Sequence, residues 1–113
     1  MRLISQDGMI DVPYEQAIIE YEACERNGED VFHIIFARTT RNTFPIARYS
    51  TEAKAIKAME MLREKYAKLE IFKSVYQKGL LTELNKELGF DEMQNILTSI
   101  FQFPKDEEVE VQE

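Results

Sequence analysis

Up to Tyr49 the chain is a series of short runs that alternate apolar and polar residues or are apolar throughout; beyond it the spacing changes to three and four. The first regime predicts strands and the second a helix. Residues 3–5 and 9–12 flank Gln6-Asp7-Gly8. Asp-Gly suits a tight turn because glycine accepts positive φ without steric cost, so a hairpin is expected here. Pro13 has no N–H to donate and ends the pairing. Over 17–24, Ala17, Ile19, Tyr21 and Ala23 fall on one face and Glu20 and Glu22 on the other, the period of a half-buried strand. Glu25-Arg26-Asn27-Gly28 supplies a turn. Residues 31–37, Val-Phe-His-Ile-Ile-Phe-Ala, are β-branched and aromatic on both faces and mark a central strand. After the polar tip Arg38-Thr39-Thr40-Arg41-Asn42, residues 44–49 return as a further strand, with Pro45 pointing to an edge or a bulge.

The helix opens at Ser50, whose hydroxyl suits an unpaired N–H of the first turn. Glu52 there favours the positive end of the helix dipole. Ala55, Ile56, Met59, Leu62, Tyr66 and Leu69 form its apolar stripe, and Lys54, Lys57, Glu60, Arg63, Glu64 and Lys68 fill much of the remainder. Residues 71–77 extend or bend it. Gly79 is a natural break, and Leu80, Leu81, Leu84 and Leu88 outline a second short helix ending at Gly89. Asp91 caps a third, with Met93, Ile96, Leu97 and Ile100 as its buried side. Ile100-Phe101-Gln102-Phe103 alternates and rejoins the sheet before Pro104. The expected fold is α+β: an antiparallel sheet of about five strands, covered on one face by a long amphipathic helix, with additional short C-terminal helices. One domain is expected over 1–105, followed by an acidic, frayed tail, 106–113.

Length and composition narrow the function. A chain of 113 residues is the size of one domain and buries roughly two thirds of its unfolded surface without a metal or disulfide. The net charge of −7, from 21 acidic and 14 basic residues, disfavours direct nucleic-acid binding, which depends on neutralising phosphates with Lys and Arg. The single cysteine, Cys24, cannot form an intramolecular disulfide, so a reducing, cytoplasmic setting is expected. No apolar run approaches the ~18 residues that span a bilayer, and residues 1–8 do not read as a signal peptide.

The search for chemistry yields no catalytic, cofactor or metal constellation, and no cofactor and no enzymatic activity are expected. His33 is the only histidine; inside an apolar strand it reads as a hydrogen-bonded structural residue. Cys24 and His33 as nucleophile and base lack an oxyanion motif, so Cys24 reads as a small buried or edge thiol. Glu20 and Glu22 share a strand face and read as a solvated surface, although the pair also has the chemistry to bind a cation or exchange a proton. Interaction residues are better marked. Arg38 and Arg41 on the hairpin tip suit a phosphate or carboxylate. Residues 71–103 are rich in apolar side chains, among them Phe72, Tyr76, Leu80 and Leu84. They either complete the core or form a protein interface, including self-association.

Met1-Arg2-Leu3-Ile4-Ser5-Gln6-Asp7-Gly8 with Ile10-Asp11-Val12-Pro13-Tyr14-Glu15, the junction Ala47-Arg48-Tyr49-Ser50-Thr51-Glu52 with the helix after it, and Phe101-Gln102-Phe103-Pro104-Lys105-Asp106-Glu107 are distinctive. This layout resembles small uncharacterised single-domain proteins of Gram-positive bacteria and their prophages or other mobile elements. Residues 71–99 look like an enlargement between that family's helix and its last strand. The resemblance carries no established activity or catalytic residue; it implies a mobile-element accessory protein. The expected function is therefore a non-enzymatic accessory or adaptor acting through protein contacts with a partner of unknown identity, with homodimerisation as one form of such contact. The alternative is an acidic inhibitor that imitates nucleic acid to block a host nucleic-acid-binding defence or regulatory protein.

Overall fold

The computed structural model describes residues 1–26, 28, 30–77 and 100–111. The Asp-Gly turn closes a hairpin between β1 (Arg2–Ile4) and β2 (Asp11–Pro13), which pair antiparallel with Leu3 opposite Val12. Gly8 takes φ +78°, where any side chain would strain the backbone. The Asp7 carboxylate accepts the Ser5 hydroxyl at 2.6 Å and the Met9 N–H at 3.0 Å. Those bonds, the one from Ser5 foremost, hold its carboxyl below the usual aspartate value.

Strands β3 (Ile18–Arg26), β4 (Asp30–Arg38) and β5 (Thr43–Tyr49) form an antiparallel meander with β4 in the middle, as the doubly apolar 31–37 run implies. The long helix α1 (Glu52–Gln77) runs unbroken through residues 71–77. β6 (Ile100–Gln102) then pairs with β1 in parallel.

The fold is α+β, but the single sheet expected from the sequence is two three-stranded sheets, β2-β1-β6 and β3-β4-β5. The reason lies where the N-terminal hairpin meets β5. Pro45 has no N–H to donate, and the β4–β5 register shifts between Ile35 and Phe36, leaving Ile46 out of the ladder. The two sheets are joined there by Gln6 instead of a strand. Its N–H donates to the Ile46 carbonyl at 2.9 Å, and its side-chain oxygen accepts the Arg48 N–H at 3.0 Å.

The core gathers Leu3, Ile35, Ala37, Ile46, Tyr49, Ala55, Ala58, Leu62, Phe101, Phe103 and Val109. The expected helix stripe needs one correction: Ile56 is exposed and Ala58 is fully buried. Ala55, Ala58 and Leu62, all buried, keep the three-and-four spacing. The acidic end is also more anchored than expected. Residues Asp106–Glu108 form a 3-10 turn, and Val109 is buried in the core.

The chain divides into two compact units, Met1–Leu62 with Ile100–Glu113, and Arg63–Ser99. Helix α1 contributes to both, and in the second Leu69 and Phe72 are buried. The short helices expected after Gly79 lie outside the described residues. No helix among the described residues is long and apolar enough to cross a membrane.

Candidate functional site

Alternation along β4 sends Ile35 and Ala37 into the core beneath α1, and Phe32, Ile34 and Phe36 to the opposite face of the sheet. Those three side chains are half-buried and stand apart from the core. Cross-strand pairing sets their neighbours. Cys24 lies opposite Phe32, Glu22 opposite Ile34 and Glu20 opposite Phe36 on the β3 side. Arg48 lies opposite Ile34 and Pro45 opposite Phe36 on the β5 side. The result is an open face with an apolar stripe along its middle strand, carboxylates on one flank and a guanidinium on the other. Ile18, 53% exposed, continues the apolar surface at one end of β3.

Charge on this face is partly settled within the chain. Arg38 donates two hydrogen bonds to Glu20, at 2.8 and 3.1 Å. The Arg48 guanidinium lies flat over Phe32, 3.7 Å from the ring centre. Shallow hollows flank Arg48. One of about 460 Å³ is bordered by Gln6, Phe32, Ser50, Lys105 and Asp106. The other, of about 290 Å³, is bordered by Gln6, Asp7, Ile34, Pro45 and Ile46.

Asp106 fixes the rim of the larger hollow. Its carboxylate accepts the Ser50 N–H at 2.8 Å, the Ser50 hydroxyl at 3.0 Å and the Lys54 ammonium at 3.3 Å. The Ser50 N–H bond is the main reason its carboxyl sits below the ordinary aspartate value. Ser50 is therefore not the cap expected from the sequence. Thr51 takes that role, its hydroxyl accepting the Lys54 N–H at 3.2 Å, while Ser50 is turned toward Asp106. Beside it, buried Tyr49 donates to the Pro104 carbonyl at 2.7 Å. Burial, with Asp106 and Glu108 nearby, pushes its phenol well above the ordinary value.

The residues singled out from the sequence are scattered. Arg38 is engaged by Glu20, while Arg41 stands exposed on a tip closed by the Thr39 N–H to the Asn42 carbonyl at 2.8 Å. Phe72 is buried. Tyr76 falls within α1, but its side chain lies outside the described set, as do Leu80 and Leu84 altogether. Cys24 and His33 are on opposite faces of the sheet, because Cys24 pairs with Phe32 and His33 with Ala23. Instead His33 Nδ1 lies 2.6 Å from the Tyr21 hydroxyl, with the two rings stacked. No cluster of three or more potential metal ligands occurs among the described residues.

Phe32, Ile34, Phe36 and Arg48 do not stand out as a surface in the sequence. A strand apolar on both faces signals two buried sides, and only the three-dimensional arrangement leaves one of them open. Comparison of the chain with family models, curated proteins and solved structures finds no match.

Proposed function

We propose that this chain is a non-enzymatic, cytoplasmic accessory or adaptor protein of a prophage or mobile element, acting through protein contacts made by the open face of the β3-β4-β5 sheet. The observation that carries this reading is the row Phe32, Ile34 and Phe36, half-buried on the side away from the core. Apolar stripes rimmed by charge are the usual anatomy of a contact surface. The mobile-element origin rests on the resemblance of the hairpin, the Tyr-Ser-Thr-Glu junction and the Phe-Pro end.

The acidic-inhibitor reading is the weaker one. Imitating nucleic acid needs rows of free carboxylates, whereas Glu20 is held by Arg38, Asp11 by Arg2 and Asp106 by Lys54. The test is capture from host lysate with the wild-type chain and with Ile34→Lys as baits, both first shown to be folded by circular dichroism. A partner held by the wild type and released by Ile34→Lys is expected. Equal retention by both baits refutes this face as the contact.

A further inference from the structure

Resting on that reading of the face, we infer that its occupant is a second copy of this chain. In this arrangement Ile34 meets Ile34 across a two-fold axis running along β4, and Glu22 of each copy pairs with Arg48 of the other.

Glu22, Ile34 and Arg48 are consecutive partners across β3, β4 and β5, so they form one row perpendicular to the strands. Flanking strands lie about 4.8 Å to either side of the middle one. A half-turn about the direction of β4 keeps every residue at its height along the strand and exchanges the two flanks. It therefore lays the β3 side of one copy over the β5 side of the other. The apolar centre of the row meets itself, and each end meets its opposite charge.

The charges are those such an arrangement needs. Glu20, one row away, is already held by Arg38. Glu22 is exposed, and its side chain has no hydrogen bond or ion pair among the described residues. The Arg48 guanidinium rests on the Phe32 ring and forms no ion pair among those residues, the nearby Asp106 carboxylate being taken by Ser50 and Lys54. Facing sheets pack about 10 Å apart, a gap that glutamate and arginine side chains span together. A partner of uniform charge would be repelled by one flank or the other, whereas an isologous copy satisfies both. One face of a three-stranded sheet offers a small contact, so the dimer belongs to the weak end of the interface range, on the order of micromolar.

Two charge reversals test this directly, because Glu22 and Arg48 are both exposed and substitutions at such surface positions generally cost little stability. Glu22→Arg gives a chain with two cations at the row's ends, and Arg48→Glu a chain with two anions. Sedimentation equilibrium is run on each alone, on an equimolar mixture and on the wild type, with circular dichroism melts as the folding control. The wild type is expected to dimerise, and each variant alone to dissociate with a constant raised about tenfold or more. The mixture should regain wild-type affinity as a heterodimer, because its cations and anions again face each other. A wild type still monomeric at about 1 mM, against the micromolar association expected, overturns the inference. So do variants that dimerise unchanged, or a mixture that associates no better than its parts. These outcomes are separate from the lysate test: a monomer that still loses a captured partner on Ile34→Lys defeats the dimer and leaves the proposed function standing.

Discussion

Replacing Asp106 with alanine should detach the C-terminal turn from the start of α1. The carboxylate accepts the Ser50 N–H at 2.8 Å and the Ser50 hydroxyl at 3.0 Å, and it faces the Lys54 ammonium at 3.3 Å. A hydrogen bond to a charged group contributes about 1.5–3 kcal/mol when well sheltered. The Asp106 side chain is 37% exposed, which places the Ser50 contribution near the lower end. The Lys54 pair, also part-exposed, adds under about 1 kcal/mol. The sum is about 2 kcal/mol, or a fall in Tm of roughly 8 °C for a domain of this size.

Asp106→Asn keeps an acceptor for the Ser50 N–H and loses the charge, so it should fall about halfway. The pH dependence has a definite sign. The Ser50 N–H bond holds the Asp106 carboxyl below its ordinary value of 3.8. Its contribution is therefore complete above that pH and lost as pH falls through the lowered folded value. Thermal melts of the wild type and both variants at pH 7 and at stepped acid pH provide the assay. An alanine variant melting within about 1 °C of wild type, against the fall expected for such a loss, would refute the reasoning. So would a gap that persists undiminished in acid.

Thr51→Ala should cost about 1 kcal/mol by leaving the Lys54 N–H without its cap; chemical denaturation measures it, and an unchanged midpoint would contradict Thr51 as the capping residue. Tyr49→Phe should also cost about 1 kcal/mol, because the Pro104 carbonyl keeps its second donor, Gln6 Nε2 at 3.1 Å. The same variant should lose an alkaline weakness. Burial raises the Tyr49 phenol above its ordinary value of 10.0, so the wild type loses stability as pH rises through that value while only the unfolded chain ionises there. Melts at pH 9 to 11 (roughly the range of phenol ionisation) should show the two proteins converging; parallel curves would contradict the burial.

Local chemistry was legible in the sequence where one residue decides it. Gly8 needs left-handed backbone, Pro45 marks the irregularity within an edge strand, and the period change at Tyr49 separates strand from helix. Partnership between distant segments was not legible. Nothing in Ile100-Phe101-Gln102 distinguishes pairing with β1 in parallel from joining the larger sheet. The demotion of Ser50 as a cap depends on Asp106, a residue 56 positions away. Adjacent good caps, Ser50 and Thr51, gave no local ground for choosing between them. The Cys24–His33 idea fails on pleat parity, which a one-residue difference in register reverses. The open face was hidden for a related reason: an apolar strand declares that both its sides want cover, but not whether the chain itself provides it.

On this reading Phe32, Ile34 and Phe36 are a surface that another protein covers. Hydroxyl-radical footprinting with mass spectrometry reads this side chain by side chain, with buried Tyr49 and Phe103 as internal references. In dilute protein the three should react readily, and they should become protected as concentration rises through the dimer range while Ile56 on the helix stays reactive. Reactivity as low as that of Phe103 in dilute protein would contradict the open face, and equal labelling at every concentration would contradict a second copy as its occupant.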